Sequence, residues 1–169
     1  MEVINLETKN SIYLSSESLK YLERVEKIEN HFQSTIHTRN ITESDKIYFE
    51  EWWNMNNKNL PICYDFIEFS SIADGLNFNG LYYYSIDRNK GDNFYNNNNE
   101  EWQTAGTKEY ILFGYNEFYY YTQSKITGKF VMFDNAYNSI IEEYDTFSEL
   151  LMKSLDEANL NEFAEEILE

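Results

Sequence analysis

Cysteine and proline each occur once in these 169 residues, histidine twice and glycine six times. A lone thiol cannot form an internal disulfide, so packing and hydrogen bonds have to hold the chain together, and the composition suits a reducing compartment. His31, His37 and Cys63 are the only histidine and cysteine ligands, and none of them has zinc-site spacing. The glycines are dispersed and read as turns or helix ends, which leaves no loop to cradle a phosphate. There is no Gly-x-Ser-x-Gly elbow either. No apolar run approaches the roughly 18 residues of a membrane span, and residues 1–5 carry no basic leader of a secretory signal. Basic side chains are scarce too: 13 Lys and Arg stand against 30 Asp and Glu, a formal net charge of -17. Phosphate backbones are gripped by clustered Lys and Arg, so nucleic acid is not an expected ligand, and an anionic membrane surface is disfavoured for the same reason. These absences predict a cytoplasmic protein with no metal and no cofactor.

What the chain does have is aromatic surface and negative charge. Fifteen tyrosines and 12 phenylalanines bring the aromatic share to 18%. A chain of this length fits one domain, residues 1–169, and can bury roughly 70% of its unfolded surface. The charge keeps an aromatic-rich protein soluble and also steers in a basic partner over long range.

Residues 59–85 hold both the proline and the cysteine, and the rest of the chain is arranged around them. Pro61 suits the first turn of a helix. Ile62, Cys63, Phe66, Ile67 and Phe69 then make a broad apolar stripe at helical spacing. Gly75 can close that helix in the left-handed region, and Asn79-Gly80 is the best turn dipeptide in the chain, ahead of a strand-forming run. Upstream, a helix from Ser16 places Leu19, Leu22, Val25 and Ile28 on one side, with Glu23 and Lys27 in the favourable order for an ion pair. Thr42 followed by Asp45 marks a second helix start, with Ile47, Tyr48, Trp52 and Met55 as its apolar side.

Downstream, residues 87–103 read as a polar surface loop, its asparagine run as compositional drift, and Trp102 as a pin holding that loop to the core. Three strands follow at 109–113, 118–122 and 129–134, joined by short turns that force them antiparallel. Neither sheet face is cleanly polar. Tyr119 and Tyr121 oppose Phe118 and Tyr120, and such a sheet is either covered twice or offers one face to something else. Thr146 and Glu149 form a capping box for a helix bearing Phe147, Leu150, Leu151, Ser154 and Leu155. A second, strongly acidic helical segment ends the chain.

No group stands out as catalytic. Cys63 lies on an apolar stripe, where a thiol is usually inert. The carboxylate pairs Glu50-Glu51, Glu100-Glu101 and Glu142-Glu143 diverge from one another on any regular backbone. Residues 87–92 are too poor in carboxylates for a calcium loop. An enzyme is therefore not expected.

Three blocks in order resemble one family. Leu60-Pro61 leads a helix, followed by Leu76-Asn77-Phe78-Asn79-Gly80-Leu81-Tyr82-Tyr83-Tyr84. Tyr110-Ile111-Leu112-Phe113-Gly114 enters a hairpin, and Thr127-Gly128-Lys129-Phe130 turns into another strand. Glu142-Glu143-Tyr144-Asp145-Thr146-Phe147 opens a last helix. Together these resemble the YrhA-like branch of the SUKH superfamily over roughly residues 15–155. One departure is Asp74-Gly75 where the family usually has Asn-Gly; the corner survives, but what that side chain contacts is left open. The resemblance implies an α+β domain whose antiparallel or mixed sheet is flanked by N- and C-terminal helices. It implies an immunity protein that binds and neutralises a cognate polymorphic toxin, often a nuclease and hence basic, by stoichiometric protein–protein inhibition. Tyr119, Tyr121, Glu142, Glu143 and Asp145 are the candidate partner-binding residues. The alternative is a general interaction scaffold of the same superfamily with no toxin partner.

Overall fold

Ser15 sets the first helix. It sits in extended backbone with its hydroxyl accepting from Ser18 N–H, and α1 (Ser16–His31) follows with Leu22, Val25 and Ile28 buried at the expected spacing. Lys27 and Glu23 pair at 2.9 Å. The computed structural model describes residues 13–32, 40–99, 103 and 106–168; His37 and Trp102 lie outside them.

The Thr42–Asp45 capping box opens α2 (Glu43–Asn56) as predicted, but the helix is rotated from the expected phase. Phe49 and Trp53 are the fully buried pair, whereas Ile47 and Met55 are exposed and Tyr48 and Trp52 half-buried. Two adjacent aromatic stripes compete for the core here. The inner one wins because Trp53 also places its indole N–H 3.2 Å from the Leu60 carbonyl.

Pro61 lies in the lead-in rather than in the first turn: α3 (Tyr64–Ala73) starts three residues later, with Cys63 at its N-cap. Phe66, Ile67, Phe69 and Ala73 are buried from that helix. Gly75 takes a φ of 69° and turns the chain into β1 (Asn77–Phe78). Asn79 and Gly80, at φ 46° and 82°, then make the two-residue connection to β2 (Leu81–Tyr83). The tip of this hairpin is tied down by Asn79 Nδ2, which donates to the Ala158 carbonyl at 2.8 Å.

Residues 87–103 differ most from expectation. They are not simply a surface loop: α4 (Phe94–Asn97) lies among them, capped by Asn93 and burying Phe94 and Tyr95. The Asn98 amide donates to the Leu112 carbonyl at 2.8 Å and accepts from the Leu112 N–H at 2.7 Å, which supplies the pairing a neighbouring strand would give. Asp74 has a definite task as well. It is buried, and its carboxylate accepts from Ser85 Oγ and from the Ile86 N–H, fixing the start of this segment.

Burial raises the Asp74 pKa above 3.8 despite those hydrogen bonds. Between the unfolded and folded values the folded protein therefore holds a proton there that the unfolded chain has lost. The stability Asp74 adds by this route is complete below pH about 4 and fades as the pH rises through its folded value. Asp74→Asn keeps an oxygen for Ile86 and carries no charge. Urea titrations across that window should show wild type losing stability relative to the variant as pH rises; parallel curves would contradict it.

The remaining strands are β3 (Tyr110–Tyr115), β4 (Tyr119–Ser124), β5 (Phe130–Asp134) and β6 (Ser139–Tyr144). The sheet runs β1-β2-β3-β4-β5-β6, antiparallel at every pairing. β6 replaces the helix opening expected around Glu142 and Glu143. The helix itself, α5 (Phe147–Glu157), begins only after the Thr146–Glu149 capping box, and α6 (Leu160–Leu168) follows it. The result is one α+β domain with a six-stranded antiparallel sheet flanked by N- and C-terminal helices. Serines tie α1 to α5: Ser148 Oγ accepts from the Ser15 N–H at 2.9 Å, across 133 residues of sequence, and lies 3.3 Å from the buried Ser18 Oγ.

Candidate binding surface

Directly paired residues in a sheet share a face, so the register sorts the aromatic side chains. One face looks into the helices. Ile111 and Phe113 from β3, Tyr121 from β4, and Phe130 and Met132 from β5 belong to the main core cluster on that side. The other face carries an unbroken cross-strand row: Tyr82 pairs with Tyr115, Tyr115 with Tyr120, Tyr120 with Phe133, and Phe133 with Ile140.

That row is graded in exposure. Tyr82 and Ile140 at its ends are 37% and 48% exposed, Tyr115 and Tyr120 are half-buried, and Phe133 is buried with the Tyr110 ring 4.9 Å away. Tyr82 and Tyr115 stack at 5.3 Å, and Tyr84 lies 5.7 Å from Tyr115. Burial raises the hydroxyls of Tyr84 and Tyr115, and the nearby Asp92 carboxylate raises them further, so both stay neutral donors. An open groove of about 300 Å³ flanks the row, lined by Gly75, Leu76, Tyr82, Tyr84, Lys90 and Asp92 among others.

The residues singled out from sequence do not form one patch. Tyr121 has to be removed from the surface set. It is fully buried against the helices, its ring stacked 6.1 Å from Tyr83 and its hydroxyl accepting from Asn116 Nδ2. Tyr119 shares its side of the sheet and is half-buried near the β3–β4 turn. Glu142 and Glu143 are both exposed on β6, but on opposite faces: Glu142 is opposite Met132, and Glu143 is opposite Val131 on the outer side. Asp145 is exposed but already engaged, because it accepts a hydrogen bond from the Lys129 ammonium and raises that group's pKa.

Tyr82, Tyr115 and Tyr120, with Tyr110 beside Phe133, are tyrosines that the outer face presents. Alternation places Tyr120 opposite Tyr121, but choosing between faces requires knowing which side the helices cover. Tyr115 is harder to find, since spacing assigns it to a turn with Gly114. In the structure both are in β3, after a bulge between Leu112 and Gly114 that changes the phase. Gly114 was the available signal: a Cβ there would lie 2.3 Å from the Tyr82 carbonyl oxygen, so the strand needs glycine to let its neighbour approach.

Elsewhere, burial pushes the Cys63 thiol up, leaving almost no thiolate at neutral pH. Among the described residues no three metal-ligating side chains gather, and no helix is long and apolar enough to cross a membrane. Fold and surface together define an acidic α+β domain with an aromatic sheet face. No family model matches the chain, and no match is found among curated proteins or solved structures.

Proposed function

We propose that this protein is a SUKH-type immunity protein that acts in the cytoplasm, binding a basic cognate toxin and blocking it stoichiometrically without chemistry of its own. The observation that carries this reading is the row Tyr82–Tyr115–Tyr120–Phe133–Ile140, partly open at the surface of a chain with net charge -17. Half-buried tyrosines in a rigid sheet lose little side-chain freedom on binding and keep a hydroxyl for the partner, which suits them as anchors. The surrounding field attracts a basic protein over long range and sets the encounter rate. A toxin that itself binds a polyanion would present the complementary charge.

The direct test is to co-express this chain with a toxin domain encoded by a neighbouring gene and to purify the pair. A one-to-one complex and loss of toxic activity are expected; failure of the two to associate would sink the proposal. Within such a complex, Glu142→Lys with Glu143→Lys should slow association about tenfold at low salt and flatten its salt dependence. An unchanged rate would remove these two carboxylates from the contact surface while leaving the aromatic row as its centre.

A further inference from the structure

We propose that β6 accepts an extended basic segment of the protein partner as an added strand, an inference that rests on the reading of a protein partner given above. β6 is the last strand of the sheet, and among the described residues no strand pairs with its outer edge. It is six residues long, and Ser139 to Glu143 are all exposed. An edge of this length presents backbone donors and acceptors to any extended chain that reaches it.

The side chains restrict which chain that is. Ile140 and Ile141 are 48% and 47% exposed and favour extended structure. Glu142 and Glu143 then project on opposite faces of the strand. A docked strand whose two consecutive residues are Lys or Arg would meet one carboxylate on each face. A second copy of this chain is a poor occupant. Antiparallel self-pairing centred on the strand sets each glutamate opposite an isoleucine, and a register shift of one residue toward the end sets Glu142 against Glu142 of the other copy. Two bodies of charge -17 also repel before they meet. The bulge at Ile141, between the Met132 and Phe133 pairings, distorts the edge and discourages indiscriminate pairing further. Beyond it, Glu142 to Tyr144 pair regularly with β5.

The experiment uses the full chain and three synthetic peptides of about eight residues, the length of an ordinary strand. One has a central Lys-Lys flanked by valine and threonine, one is the same peptide N-methylated at every backbone amide so that neither edge can donate, and one has Glu-Glu at the centre. Hydrogen exchange is followed at residues 139–144 and, for comparison, at Tyr82, Tyr115 and Tyr120. The Lys-Lys peptide should slow exchange there about tenfold or more, while the N-methylated and Glu-Glu peptides should not. The variant E142K/E143K should reverse the preference and protect with the Glu-Glu peptide. Equal protection by the N-methylated peptide, protection confined to the outer tyrosine row, or no protection by any peptide would each overturn strand addition. None of these outcomes bears on toxin neutralisation, which the co-expression experiment reads separately.

Discussion

Phe66→Ala is expected to lower the stability of the domain by about 3–5 kcal/mol, the range for emptying a phenylalanine site in a closed core. Phe66 has no solvent exposure, and its ring centre lies 5.9 Å from that of Phe49, 5.8 Å from Phe69, 5.6 Å from Phe94, 4.8 Å from Phe113 and 5.6 Å from Phe147. Those five rings come from α2, α3, α4, β3 and α5, so one side chain joins most layers of the fold. Its neighbours are bulky and fixed by their own contacts, which leaves little scope for collapse into the void. The loss should appear as a lower urea midpoint with an unchanged slope. A cost below about 1.5 kcal/mol would mean that the aromatic cluster repacks freely.

The second large effect is expected at Asn98. Asn98→Ala removes a donor and an acceptor at once and strands both the N–H and the C=O of Leu112 in a buried site. At about 1–3 kcal/mol for each orphaned group, a total of about 2–6 kcal/mol is expected, with amide exchange at Leu112 accelerated more than elsewhere in β3. Asn98→Asp should fare no better, because its carboxylate would face the Leu112 carbonyl with no proton to offer. Retention of wild-type stability by either variant would show that water replaces the amide there.

Asn98 also shows where sequence reading reaches its limit. Capping chemistry is local, so Thr42 with Asp45, Thr146 with Glu149, and the Asn79-Gly80 turn are all legible, and each defines its element correctly. The three central strands and the burial of Leu22, Val25 and Ile28 follow from periodicity in the same way. An asparagine run, by contrast, looks the same whether it is solvated or stitching a strand edge, because the difference lies in a partner 14 residues away. The phase of α2 depends on which of two aromatic stripes finds room, and that is settled by α3, α4 and β3 rather than by α2 itself.

The candidate surface was half legible for a similar reason. The charge and the excess of tyrosine are compositional and visible at once. Which tyrosines face outward depends on the helix-covered side and on a bulge, so Tyr121 is misassigned while Tyr82, Tyr115 and Tyr120 go unselected. Glu142 and Glu143 are read at a helix entrance because the cap at Thr146 follows so closely. Their exposed strand becomes apparent only from its pairing with β5.

The serine contacts between α1 and α5 impose a timetable on biosynthesis. The main packing partners of α1 are α5 and α6, so Leu22, Val25 and Ile28 leave the ribosome long before the surfaces that cover them. At about 5–20 residues per second, the 133 residues from Ser15 to Ser148 amount to a delay of roughly 7–27 seconds. During that interval the greasy side of α1 is available to chaperones, and in the proposed role each newly made molecule becomes protective only after α5 and α6 have been translated.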